Sequence, residues 1–337
     1  MEEIVRSLIK KLERSDLSKF RVVSLPDFFL DIIIKFDKMN FFLENVDKIY
    51  RQGGGNISIE RPIITSGGNA ANTALALARL GVESYLICKT SELGKVIASH
   101  FLQGVNNKFK ISKEMSITAS FEIEGRNIMF SYPGPARDFS FEDLGEDDLE
   151  IISSSDLLYV GNWNLNMKGT ELIEKVFNFA KSKGTKTYLD IGDPSTKLDE
   201  IDSLIDVLSS GCADIMSLNE NELKYLSAKL GIDEKDPFDT IPCIERVLKT
   251  RIDLHTKSYS FSRGKVVKTF EIKPRAVTGA GDAWNAGNIL GELIGLNDTE
   301  RLLLANAVAA VYLTSFPNRG SLEDVKNFLA SYNFLTK

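Results

Sequence analysis

Short β-type runs alternate with amphipathic stretches of helical period along most of this chain, and that order constrains its fold more than any other feature. The strand candidates are Arg21–Ser24, Ser84–Cys88, Leu157–Val160, Lys186–Ile191, Ala213–Ser217 and Ile252–Thr256. Helical patterns fall at Asn69–Leu80, Glu92–Gly104, Lys168–Ser182, Asn219–Lys229, Ile241–Lys249, Ala280–Gly295, Thr299–Thr314 and Ser321–Ser331. Strands joined through helices pair in parallel and are covered on both faces. The pattern therefore predicts an α/β fold: a three-layer, doubly wound, mostly parallel sheet. At 337 residues and 43% hydrophobic side chains, a core of this kind needs no staples. The opening MEEIVRSLIKKLER puts Ile4, Val5, Leu8, Ile9 and Leu12 on one face, as a docked amphipathic helix does.

Two stretches break the alternation, and both read as antiparallel strands. In the first, Ile32 to Thr65, Lys48–Arg51 and Ile57–Ile64 flank the triple glycine Gly53–Gly55. In the second, Ser116 to Tyr132, the chain turns at Glu124-Gly125. There Ile117, Ala119, Phe121 and Ile123 alternate with Thr118, Ser120, Glu122 and Glu124, the pattern of a strand with one wet face. The expectation is one domain over 1–337 with a small β-sheet inserted as segments of about 32–65 and 116–132. Such a sheet serves either as a lid over a ligand or as an edge for dimerisation.

Composition removes several function classes. A net charge of −6 offers no basic footprint for nucleic acid. The three cysteines, Cys88, Cys212 and Cys243, lie far apart, and His100 and His255 are isolated, which argues against a disulfide framework, a zinc site and histidine-based hydrolysis. No apolar run is long enough for export or insertion. Leu302–Leu313 is the longest and is broken by Asn306, so a cytoplasmic chain without a membrane partner is expected. Neither a P-loop nor a GxGxxG after a strand occurs.

Three segments could carry chemistry. In RAVTGAGDAWNAGNILGELIG (275–295), Gly279-Ala280-Gly281 precedes a helix opening at Asp282. Small residues let backbone N–H groups turn inward at a helix N-terminus, which suits a transferring phosphoryl group, and a carboxylate beside it can accept a proton. Asp282 could equally be a helix cap. In TSGGNAANTALALARLG (65–81), Gly67 and Gly68 permit close approach of a ligand, while Asn69 and Asn72 can bond hydroxyls, or the segment is a glycine turn into a core helix. In LNENE, Asn219 and Glu222 share a helix face and could hold hydrated Mg²⁺, or form a capping box. Asp190 and Asp193 of LDIGDP stand beside the crevice as ligands or turn residues.

Taken in order, these motifs resemble the ribokinase-like (PfkB) carbohydrate kinases. GGNAAN and VTGAGDAWNAG look like that family's two signature regions, about 210 residues apart. DIIIKFD, TASFEIEGRNIMFSYPGPA, LDIGDP and ADIMSLNENEL accompany them in family order, from about Phe20 to the C-terminus. The resemblance implies transfer of the ATP γ-phosphoryl group to a hydroxyl of a sugar, polyol or nucleoside. It implies Asp282 as base, Gly279, Ala280 and Gly281 as anion hole, and Asp31, Gly67, Gly68 and Asn72 as acceptor contacts. Asn219 and Glu222 would organise Mg²⁺ and phosphate through water, with Asn306 also on the nucleotide side. The inserted sheet would be the lid, and pairing of lids a homodimer.

The chain departs from the pattern in three places. Ala276-Val277 replace the Asp-Thr usual before GAGD, and that Asp often joins a monovalent-cation site, which leaves potassium activation in question. LHTKSYSFSRGK has no TxGxxG, so the nucleotide-side loop should be shorter or altered, and donor preference is open. PDFFLD brings Phe28 and Phe29 to the approach to Asp31, either to stack on a ligand or to pack. Nucleoside kinase is thus a rival of sugar kinase, and a non-catalytic ligand-binding or regulatory protein on a kinase scaffold is the alternative of another class.

Overall fold

The computed structural model describes residues 2–232, 236–275 and 277–332. Among these, thirteen strands form two sheets. In chain order they are β1 (Arg21–Leu25), β2 (Phe29–Phe36), β3 (Ile63–Gly67), β4 (Glu83–Ser91), β5 (Asn106–Ser112), β6 (Ser116–Ile123) and β7 (Arg126–Tyr132). Then come β8 (Leu157–Val160), β9 (Lys186–Asp190), β10 (Ile215–Leu218), β11 (Arg251–His255), β12 (Tyr259–Ser262) and β13 (Lys265–Lys268). The large sheet has the order β13-β12-β11-β10-β9-β8-β1-β4-β5, parallel except at β11-β12 and β12-β13.

Period-two alternation covers both faces of that sheet. Val22, Leu157, Tyr188 and Ile215 face one core with the helices Asn69–Arg79, Ala280–Leu293 and Asp298–Ser315, while their neighbours Val23, Leu158, Leu189 and Met216 face the other. The first core also takes the N-terminal helix Glu2–Arg14, which buries Val5, Leu8 and Leu12 as its period requires. Gly287 and Gly291 let Ala280–Leu293 lie against Asp298–Ser315, since a Cβ on either would stand within 3 Å of that helix. Gly295 lies beyond the helix end and takes no part in that contact.

The second sheet, ordered β3-β2-β6-β7, corrects the sequence reading in three ways. Lys48–Arg51 is no strand but the last turn of a helix, Met39–Arg51. Phe42, Asn45 and Ile49 form its half-buried face, and Phe42 packs on Phe36 and Phe121 at 4.9 and 5.6 Å between ring centres. The triple glycine stops that helix: Gly54 N donates to Ile49 O and Gly53 N to Tyr50 O. The strand expected at Ile57–Ile64 begins only at Ile63. Finally, β6 and β7 form the hairpin turning at Glu124-Gly125, but its wet face is inverted. Thr118, Ser120 and Glu122 are the buried side, and Ile117, Ala119 and Phe121 are half-buried. A strand pattern gives two faces without saying which one meets the rest of the molecule.

Candidate active site

Five adjacent parallel strands end at one crevice, and each delivers a polar residue there. Asp27 follows β1, Asn162 follows β8, Asp190 closes β9, Asn219 follows β10 and His255 closes β11. The helices Asn69–Arg79 and Ala280–Leu293 point their N-termini at the same place, and β2 of the small sheet brings Asp31 over it.

Asp31 pairs across the sheet with Thr65 and Thr118 and is 4% exposed. Its carboxylate lies over Gly67, where a Cβ would come 2.0 Å from Oδ1. A glycine is required there by contact. Gly68, at φ 90°, brings the chain past Asp27 into the helix. Asp27 fixes this corner, Oδ1 accepting from Ala70 N at 2.8 Å and Oδ2 from Asn162 Nδ2. Asn72 Nδ2 donates to Asp282 Oδ2 at 2.8 Å, joining the two signature segments. Asp31 Oδ1 and Asn72 Oδ1 are among the buried side-chain atoms left without a partner in the described residues. Buried polar atoms are nearly always bonded, so these two are left open to hydrogen-bond donors.

Asp282 stands in the first turn of Ala280–Leu293, behind Gly279 at φ 83°. A Cβ on Gly279 would lie 2.5 Å from Tyr312 OH, which donates to Thr278 O at 2.8 Å. Burial, and then the charges of Asp190 and Asp27, push the Asp282 carboxyl well above the usual range, opposed by the Asn72 hydrogen bond and Arg319. Burial pushes Asp31 to about 7, again opposed by Arg319, and Asp27 to about 6. Glu222 is raised as well, by burial and then by Asp190. Arg319 is held by Ser66 O and Oγ at 2.9 and 3.0 Å and lies 5.5 Å from the centre of the Tyr312 ring.

The other predicted residues are placed differently. Asn219 and Glu222 form a capping box: Asn219 Oδ1 accepts from Asn221 N and Glu222 N, and both Glu222 oxygens accept from Asn219. Asn306 accepts from Trp284 Nε1 at 2.9 Å and donates to Val267 O and Lys268 O. Trp284 stacks at 4.9 Å on His255, which adjoins Gly281 and is held down to about 4 by burial. After His255 the chain turns within Thr256–Ser258, closed by Thr256 Oγ1. Asp193 caps a turn through Ser195 N, and Phe28 and Phe29 are both buried. Ala276 lies outside the described residues. Asp27, Asn162 and Arg319 were missed by sequence reasoning. Gly161-Asn162 directly after a buried strand was the available signal, whereas nothing local marks Arg319.

The profile of the pfkB family of carbohydrate kinases matches residues 32–324. The chain is 27% identical over 266 residues to a ribokinase of Haemophilus influenzae, covering 74% of this chain and 82% of that protein. It is 23% identical over 283 residues to a 5-dehydro-2-deoxygluconokinase of Clostridium perfringens, covering 78% and 83%. Among solved structures, an adenosine kinase from Sinorhizobium meliloti superposes with a TM-score of 0.73 at 20% identity, over 93% of this chain and 98% of that one, which shows the shared fold.

Proposed function

This chain belongs to the pfkB family of carbohydrate kinases, and we propose that it moves the γ-phosphoryl group of ATP to a hydroxyl of a sugar or related polyol with Asp282 as general base. The observation that carries this is the Asp282 carboxylate, bonded to Asn72 and set behind Gly279-Ala280-Gly281 at a helix start. In this reading acceptor hydroxyls donate to Asp31 Oδ1 and Asn72 Oδ1, with Gly67 and Gly68 leaving room. The reacting hydroxyl gives its proton to Asp282, whose affinity for protons is raised by burial and by Asp190. Backbone N–H groups of Gly279, Ala280 and Gly281 stabilise the charge on the group in flight.

Asp190 raises the proton affinity of both Glu222 and Asp282, and Asp282 that of Glu222, a crowding that a hydrated divalent cation would relax. In this reading Mg²⁺ is held through water near Asn219 and Glu222. The ion would neutralise phosphate charge. The small sheet is the lid in this reading, excluding water from the site. Its outer face exposes Ile64, Ile128, Phe130 and Tyr132, which suits a lid-to-lid homodimer. Full burial of Phe28 and Phe29 leaves no aromatic platform there for a base, and favours a sugar over a nucleoside. No helix among the described residues is long and apolar enough to cross a membrane, and use of ATP suits the cytoplasm.

The test is turnover with Mg²⁺-ATP over a panel of sugars, polyols and nucleosides. Acceptor-dependent ADP release, reduced by roughly 10²–10⁴-fold in Asp282→Asn, is expected. Nucleotide binding that raises Tm without product would instead support the non-catalytic reading.

A further inference from the structure

Where the small sheet meets the loop running into Gly279 there is a cluster that the proposed chemistry does not use. Glu122 of β6 is only 8% exposed, and a carboxylate so placed needs compensation. Its Oε1 accepts from Val277 N and Thr278 Oγ1, each at 3.4 Å. Its Oε2 lies 3.7 Å from Lys35 Nζ, and Lys35 donates to Arg275 O at 2.5 Å. Asn127 Nδ2 donates to Thr278 Oγ1 at 3.3 Å. Lys35, Glu122 and Asn127 are direct cross-strand neighbours, one row running over β2, β6 and β7. That row grips the loop from above, while Tyr312 holds Thr278 O from below.

Four residues back on the same two strands lies the row of Asp31 and Thr118. At about 3.3 Å per residue the two rows are roughly 13 Å apart on one rigid pair of strands. A ligand that seats Asp31 therefore also seats Glu122. Contacts of 3.4 Å are at the long end for hydrogen bonds, so a small closing movement strengthens all of them together.

We propose that Glu122 is a positioning residue which, with Lys35 and Asn127, fixes the loop ahead of Gly279 when the lid is seated, so that an acceptor bound at Asp31 completes the anion site. This rests on the kinase reading of Asp31 and Gly279–Gly281. Preorganised N–H groups are what such a site contributes, and water alone does not seat the lid. Acceptor-free hydrolysis of ATP is thereby kept low.

Two readouts test it on the full chain. In Glu122→Ala, kcat is expected to fall about 10- to 100-fold, with both KM values within about threefold, and amide exchange at Thr278–Gly281 to quicken at least about tenfold in the free protein. Glu122→Gln keeps an acceptor oxygen for Val277 N and Thr278 Oγ1, and should restore both readouts to within about threefold. Lys35→Ala, at an exposed position, carries less risk to folding and should move both the same way. Unchanged exchange in Glu122→Ala and Lys35→Ala, or a Gln variant as impaired as the Ala one, would overturn the proposal. If the unmodified chain phosphorylates no acceptor, the kinase reading fails, and the exchange arm still decides whether Glu122 holds the loop.

Discussion

In the proposed reading, the half of the crevice assigned to the acceptor and the half assigned to the donor differ in what their polar side chains are bonded to. On the acceptor side, Asp31 Oδ1 and Asn72 Oδ1 are buried without partners, while the raised proton affinity of Asp27, Asp31 and Asp282 is shared by Glu222 on the other side. On the donor side, Asn219, Glu222 and Asn306 have their bonding capacity taken up by neighbouring protein atoms. His255 is the exception, with neither ring nitrogen hydrogen-bonded among the described residues. One half is therefore an unfinished surface that a ligand completes, at a cost in stability. The other is finished on its own and presents backbone amides. That contrast goes with a tight turn at Thr256–Ser258 on the side assigned to the donor.

The sharpest way to break the contrast is Asp31→Asn. Hydrogen bonds to a charged group are worth about 1.5–3 kcal/mol, so acceptor kcat/KM should fall roughly 10- to 100-fold with the ATP KM within about twofold. Steady-state kinetics varying each substrate in turn decides this. An equal rise in both KM values would mean that Asp31 shapes the whole crevice, and the division into halves would fail.

On the other side, Asn219→Ala should act first on stability. It removes the side-chain acceptor of Asn221 N and Glu222 N and strands a Glu222 oxygen. Loss of such a cap costs about 1–2 kcal/mol, with a rise in ATP KM of less than about tenfold. Denaturant unfolding and ATP kinetics measured together check it. A large kinetic loss without destabilisation would show that Asn219 contacts the nucleotide or its ion directly.

How much was legible beforehand follows the same divide. The parallel core and the helices Asn69–Arg79 and Ala280–Leu293 were legible because period and glycine placement are local signals. So was the pairing of Asn72 with Asp282 as one site, through the resemblance that set their two segments together. The small sheet was legible only in part. Gly53–Gly55 read as a loop between two strands because a glycine run marks a break without telling a helix stop from a strand connection, and Met39–Arg51 has no side-chain cap to announce it. The inward direction of Thr118, Ser120 and Glu122 was illegible, because it is decided by packing onto the crevice. Arg319 was hidden for a similar reason: Ser66, which accepts its hydrogen bonds, lies 253 residues away.

One further effect separates the halves by sign. Asp31 titrates at about 7 in the folded chain against an ordinary value of 3.8, burial being the main cause. A carboxyl raised in this way contributes stability that is full below the unfolded value and is lost as pH rises through the folded one. Asp31→Asn has no such loss, so its stability relative to the unmodified protein should improve between pH 4 and pH 8 by on the order of 3 kcal/mol. For a chain of this length that is roughly 4 °C in Tm. Taking the difference between the two proteins at each pH cancels groups that titrate alike in both, including His255, whose depressed value works in the opposite direction. Asn219→Ala, by contrast, should lower Tm at both pH values and no less at pH 8 than at pH 4, since the Nδ2 it removes donates to the Glu222 carboxyl and favours its ionised form. Thermal melts of the three proteins at pH 4 and pH 8 measure this. A flat Asp31→Asn difference would mean that Arg319 already compensates the carboxylate, and the acceptor side would then be as finished as the donor side.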